Sequence, residues 1–368
     1  MEREIAMSKY LVKLLPLGKF FFGGDMTFKV NDKETDFSSY SYIIHSFMMP
    51  QQTSILGMMR FLILSNNTEA FDRKGNCIKD VNKAKVLIGE KGFSVDPSNH
   101  NRRDYQSVQE IGACFLWNTD KNKPFFKGAK DIDLQIGKES VVNATINMIP
   151  VRIPKIDIKK GNKTQPFTGK DYLNNYYISL DGEKLNESQI FKEDTRIGIN
   201  KSYTGKTESE AFYKQVSYRL KENFCFAFEV EVVDSIDLTV YNKQVVKLGA
   251  DDSSFVFEAE RIEKVDYPVS KEDLRVVLLS DTYLPDISNC NLLFAITDVR
   301  PFRFLSMANS TNAQDYNVKY KSSRSDKRYD LYQAGSVFYF KDEKDKKDFC
   351  ERIDSYQEFK QIGYNQYC

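Results

Sequence analysis

Histidine and tryptophan are nearly absent from this chain: among 368 residues there are two histidines, His45 and His100, and one tryptophan. A histidine-based acid/base pair would need both imidazoles, and nothing in the sequence places them together. The six cysteines (Cys77, Cys114, Cys225, Cys290, Cys350, Cys368) lie far apart, with no CxxC pair and no Cys/His cluster. That spacing argues against a zinc site and against a disulfide framework in a chain of this size. They read as reduced thiols of a cytoplasmic protein, and neither a metal nor another cofactor is expected. Net charge is lacking too. With 53 Lys+Arg against 52 Asp+Glu the formal charge is +1, so nucleic acid would have to be held by local patches. No apolar run approaches a membrane span, and MEREIAMSKYLVKLL has charges of both signs and an apolar run broken at Lys13, unlike a signal peptide. A phosphate-binding P-loop, a GxSxG elbow and an HExxH helix are all missing.

What is present is an ordinary folded composition, 41% hydrophobic and 29% charged, in a chain long enough for two cores. Lys9 to Leu15 reads as a first strand ending at Pro16. After it, FFFGGDMTF carries the glycine pair Gly23 and Gly24, read as a loop through which backbone can approach a ligand closely. A polar stretch leads to a helix entered through Pro50, Gln51, Gln52 and Thr53. Ser54, Gly57 and Arg60 share one face of that helix, and Ile55, Met59, Leu62 and Ile63 form the opposite, core-facing stripe. A small, small, cationic face beside free helix N-terminal amides suits a phosphate. The alternative is that Gly57 permits tight helix packing and Arg60 is solvated.

Further on, residues 72–110 read as a polar surface excursion, with Ala113 to Trp117 and Pro124 to Phe126 as strands. Residues 143–195 read as a protruding hairpin, because Ile146 to Ile158 alternates and KKGNKTQPFTGK sets Lys159, Lys160, Lys163 and Lys170 around Phe167. Lysines meet phosphates and an aromatic ring can stack on a base; the alternative is a solvated loop. Arg196 to Ile199 with Thr204 to Lys206 reads as a turn rich in glycine and positive charge. Ala211 to Leu220 and Phe224 to Val233, joined at Lys221 to Asn223, read as a hairpin. LGADDSS could offer Asp251 and Asp252 to magnesium, although an acidic pair in a turn is more often solvated. Lys319, Lys321, Arg324, Lys327 and Arg328, beside Tyr320 and Tyr329, form a second basic patch. Lys344 to Phe359 reads as an exposed helix.

FFGGDMTF, PQQTSILGMMR, RIGINKSYTGKTESEAFYKQ, KLGADDSSF, AGSVFYF and a terminal GYNQY, in that order, resemble the RAMP-type subunits of type III CRISPR effector complexes. The likeness is closest to the type III-B (Cmr) subunit that holds the 5′ handle of the guide RNA. The resemblance implies an α+β chain of two ferredoxin-like (RRM-like) halves, residues 1–232 and 233–368, with a β-hairpin thumb between Asn143 and Thr195 and Lys159 to Lys170 near its tip. It implies a scaffold, not a nuclease, whose partners are the CRISPR RNA, target RNA near the thumb, the large polymerase-type subunit and a backbone RAMP subunit, with no membrane. By position it assigns Gly23, Gly24, Gln51, Gln52, Thr53, Ser54, Gly57, Arg60, Arg196, Gly198 and Lys201 to RNA. Tyr203, Phe167 and Tyr320 are candidates for stacking on splayed bases. The sequence departs from the pattern at Gly363 to Asn365, where a glycine-rich loop is expected, and in LGADDSS, where a second glycine is usual. Two other readings stay open: a metal-independent RAMP endoribonuclease with His45 as general base, lost in His45→Ala, and a protein-only assembly subunit.

Overall fold

A computed structural model describes residues 6–29, 41–95, 100–146, 149–160, 163–167, 175–201, 207–269, 274–307, 322–324 and 327–368. The chain opens with strands β1 (Met7–Pro16), β2 (Phe22–Lys29) and β3 (Ser41–Phe47), then helices α1 (Gln52–Asn66) and α2 (Val81–Ile88). Next come β4 (Val108–Ile111), β5 (Phe115–Asn118), β6 (Lys123–Lys127), the long β7 (Leu134–Ile146) and β8 (Ile149–Lys160), and the short β9 (Lys163–Pro166). After these run β10 (Phe191–Lys201), β11 (Thr207–Leu220), β12 (Phe224–Val233), β13 (Val245–Lys247) and β14 (Ser254–Arg261). The last third contributes β15 (Arg275–Val277), β16 (Leu292–Ile296), β17 (Val337–Phe340), α3 (Glu343–Asp354) and α4 (Gln357–Lys360). The architecture is mixed α+β, mostly strands with few helices. Among the described residues no helix is long and apolar enough to cross a membrane.

The chain divides into two interleaved units. The first comprises Met1–Glu90, Tyr105–Phe125 and Glu187–Val265; the second comprises Lys91–Asp104, Phe126–Asn186 and Asp266–Cys368. The expected cut at residue 232 falls inside the first of these units. Both β13 and β14 belong with the first unit, because β14 is an immediate neighbour of β1.

In the first unit β1 lies between β12 and β14, antiparallel to both, with Val12 opposite Phe228 and Ala259. Outside them, β5 and β4 pair with β12, and β13 pairs with β14. Phe20, Phe22, Phe226 and Phe255 fill the core, with ring centroids 4.8–6.4 Å apart. Helix α1 packs on β4 and β13. It buries Ile55, Leu56, Met58, Met59, Leu62, Ile63 and Leu64, a wider face than the expected stripe. At ~1.5–3 kcal/mol per side chain this burial contributes about 10–20 kcal/mol before chain entropy is subtracted.

A second sheet of this unit has the order β10-β11-β3-β2, with β11 parallel to β3 and the other neighbours antiparallel. Three expectations are corrected here. Gly23 and Gly24 are not a loop: they lie in β2, where the register to β3 shifts between Gly23 and Met26. Arg196 to Gly198 is not a turn but the interior of β10, with Gly198 opposite Tyr213. Nor do β11 and β12 form a hairpin. The chain does turn at Lys221, whose N–H donates to Ile190 O at 2.9 Å. It then carries β12 into the other sheet, where β12 is buried on both faces along its first five residues.

In the second unit β17 lies between β15 and β16. Its core joins Val276, Leu278, Leu284, Phe338 and Phe340 to Phe349 and Ile353 of α3. The C-terminal helix is thus two helices with a buried face, not one exposed one: the side chains at Phe349, Ile353 and Phe359 are inside. The long hairpin also differs from expectation. β7 and β8 pair from Ile146 opposite Ile149 down to Leu134 opposite Ile158, so the reversal falls between Ile146 and Ile149. Lys159, Lys160 and Lys163 lie at the other end, where β8 hands over to β9, and not at the tip. That base is held by Asp131, which accepts from Arg275 Nε and Nη2 at 2.8 and 2.6 Å and from the Tyr339 hydroxyl.

Candidate nucleic-acid interface

In the first unit, segments distant in sequence converge around the glycine pair. Phe20 exchanges backbone hydrogen bonds with Tyr218 at 2.8 and 3.1 Å, Phe22 N–H donates to Ser46 Oγ at 2.8 Å, and Ala250 N–H donates to Phe21 O at 2.8 Å. Gly24 lies against the His45 carbonyl, in the space a Cβ would need. Gly249 adopts φ +91° and a Cβ there would stand 2.6 Å from Phe21 O, so the LGADDSS turn is seated on the first glycine segment through a backbone only glycine supplies. Asp251 and Asp252 in that turn are each engaged by a neighbouring side chain. Asp251 accepts from Gln215 Nε2, and Lys247 donates to Asp252, whose carboxyl is held below its usual range by that bond. Among the described residues no group of three or more His, Cys, Asp or Glu side chains is placed to hold a metal ion.

The start of α1 borders β4. Gln51 is the N-cap without a side-chain cap, and buried Gln52 donates from Nε2 to Gly112 O at 2.9 Å. Thr53 and Ser54 are half-buried and Gly57 is exposed. No atom lies within 4 Å of where a Gly57 Cβ would stand, so this glycine serves no packing contact among the described residues. The half-buried Arg60 is engaged within the first unit. Its Nε donates to Ile88 O at 2.7 Å and its Nη2 to Gly89 O at 3.0 Å, with the guanidinium 5.6 Å from the Tyr105 ring. It closes the C-terminal carbonyls of α2, where a cation also meets the helix dipole. Burial lowers its pKa, opposed by Tyr105.

The β10–β11 hairpin carries the remaining charges. Near its base Arg219 Nε donates to Asp194 at 2.8 Å, and Lys19 lies 3.5 Å from the same carboxylate. The Arg219 bond, then Lys19, holds Asp194 below the usual carboxylate range. Further along, Arg196 is exposed and makes no ion pair among the described residues. Gly23 and Gly24 on β2 and Arg196, Gly198 and Lys201 on β10 share one four-stranded sheet, three strand spacings or about 14 Å across. Lys159, Lys163 and half-buried Phe167 belong to the second unit, where Phe167 N–H donates to Ile156 O at 2.9 Å. Lys160 ends β8, and Arg324 sits in a short strand with its Cα opposite Leu305. Tyr203, Lys319, Tyr320 and Lys321 lie outside the described residues. Of the two histidines, His45 lies on β3 in the first unit, while His100 in the second pairs with buried Glu358 at 3.1 Å.

The model of the family described as CRISPR-associated protein (Cas_Cmr3) matches residues 12–368. The chain belongs to that family. A search of curated proteins returns no match. Among solved structures, a chain of the cryo-EM structure of type III-B Cmr-beta bound to cognate target RNA shares the fold. Its TM-score is 0.50 at 13% identity, covering 98% of this chain and 96% of that one. A chain of the same assembly bound to cognate target RNA and AMPPnP has a TM-score of 0.47 at 14% identity, covering 98% and 95%. As a member of the Cas_Cmr3 family, the protein is a subunit of a type III-B CRISPR effector complex.

Proposed function

We propose that the protein is a non-catalytic, RNA-holding subunit that binds the 5′ handle of the CRISPR RNA on the β10-β11-β3-β2 sheet of its first unit. The observation that carries this is the meeting of the Gly23–Gly24 and Gly249 segments beside that sheet, with the Arg196 guanidinium, exposed and without an ion pair among the described residues, farther across it. Close backbone approach and a free cation are what an RNA backbone requires, and the affinity falls with salt. The strand order β5-β12-β1-β14, with α1 between β1 and β5 in the chain, supports a ferredoxin-like first half. The β7–β8 hairpin is the thumb, meeting target RNA at its Ile146–Ile149 end. Other surfaces dock the large polymerase-type subunit and a backbone RAMP subunit. Arg60 is omitted from the contact set because its guanidinium is already anchored on α2 through Nε and Nη2. Crosslinking in the assembled complex tests this. The first unit maps to the first nucleotides of the guide, whereas crosslinks confined to the 3′ end refute it.

A further inference from the structure

Resting on the RNA-holding reading, a second feature of the β10–β11 hairpin names how one nucleotide is held. Gly198 and Tyr213 face each other across the ladder, and the phenol end of the Tyr213 ring fills the space where a Cβ of residue 198 would stand. The ring is therefore seated on bare backbone, a device that shields a strand glycine. Stabilising the strand does not require the ring to be accessible, yet Tyr213 keeps 37% of its surface exposed. Tyr213 makes no hydrogen bond, ion pair or ring contact among the described residues. The outer part of the hairpin around it differs from the part nearer the base. Val216 and Tyr218 are buried and Asp194 is neutralised by Arg219 and Lys19, whereas beyond Val216 Arg196 and Lys214 are exposed without a carboxylate partner among the described residues and Ile197 is 70% exposed. Arg196 and Tyr213 lie on the same face of the hairpin, because Arg196 is two residues before Gly198, or about 7 Å along the strand. In sequence, residues 196–214 carry Arg196, Lys201, Lys206 and Lys214 against Glu208 and Glu210, a balance that favours a polyanion.

We infer that Tyr213, seated on Gly198, is a stacking platform for one unpaired nucleobase of bound RNA, with Arg196 on the adjoining phosphate. A ring already fixed against the strand loses little rotamer freedom when a base stacks on it, and stacking accepts any base because each has a π-face.

The test compares binding of the full chain to a short oligouridylate and to an abasic ribose-phosphate chain of the same length, with thermal unfolding confirming each variant's fold. Wild type prefers the oligouridylate. Tyr213→Leu weakens it by about 5- to 150-fold and leaves the abasic chain unchanged, while Tyr213→Phe behaves as wild type. Gly198→Ala, which displaces the ring without requiring a positive φ, behaves as Tyr213→Leu. Arg196→Gln weakens both ligands and flattens the salt dependence by ~0.7 in log–log slope. The platform is refuted, with RNA holding intact, if wild type binds both ligands equally or Tyr213→Leu alters both alike or neither. Loss of co-purification with the other complex subunits while oligouridylate binding is unchanged makes the seat a protein contact and equally refutes it. Binding of neither ligand overturns the RNA-holding reading together with the platform.

Discussion

Replacing Arg60 separates a structural cation from an RNA ligand. In Arg60→Gln the guanidinium no longer donates at 2.7 Å to Ile88 O and 3.0 Å to Gly89 O, nor sits 5.6 Å from the Tyr105 ring. Hydrogen bonds involving a charged group contribute ~1.5–3 kcal/mol each and the ring contact about 0.5–1 kcal/mol. Glutamine recovers part of one bond, so a net loss of about 2–4 kcal/mol is expected. The loss should be concentrated where α2 meets α1, in the small cluster of Leu64, Ala70, Phe71 and Ala84. Amide hydrogen exchange is the direct assay: protection at Lys85 to Gly89 collapses, and the melting temperature of the first unit falls by roughly 5–10 °C. RNA affinity measured below that temperature keeps its salt slope. If protection and melting are unchanged while the slope falls by ~0.7, Arg60 neutralises a phosphate and the assignment to α2 is wrong.

Two further outcomes follow from the ion pairs. Asp131→Asn leaves Arg275 and Tyr339 without their shared buried carboxylate at the base of the long hairpin; the second unit should lose ~3–5 kcal/mol in a denaturant titration, and a loss under ~1 kcal/mol would show that Asp131 does not anchor it. Asp194 has a folded-state pKa below its unfolded value of about 3.9, so its contribution is complete above that pH and disappears as pH falls through the folded value. Acid unfolding of Asp194→Asn should therefore be shallower below pH ~4; an acid limb identical to wild type refutes the pairing.

The sequence shows α1 well, because the 3.6-residue recurrence of Ile55, Met59, Leu62 and Ile63 is a property of one segment. It does not show what lies over the opposite face. Arg60 looks solvated until α2, more than twenty residues on, brings Ile88 and Gly89 to it. Lys221 to Asn223 signals a reversal correctly, but turn residues fix a change of direction, not a pairing partner. The signal that β12 leaves its neighbour was available in FCFAF: an apolar run without alternation belongs to a strand covered on both faces. Gly198 was legible as important and misplaced as a turn, since a glycine shielded by a cross-strand ring leaves the same trace as one needed for backbone freedom. Tyr213 could have been found by aligning β10 against β11 and asking what sits opposite the glycine.

The position of β1 has a consequence for synthesis. Val12 is partnered by Phe228 and Ala259, so at the usual ~5–20 residues per second the ribosome takes ~10–40 s to deliver the first partner. Throughout that interval an apolar strand emerges with neither edge paired, and the intervening chain already includes parts of the other unit. Folding of the first unit therefore waits until about two thirds of the chain has been made, and truncation anywhere before residue 261 leaves β1 with an open edge instead of a smaller folded protein.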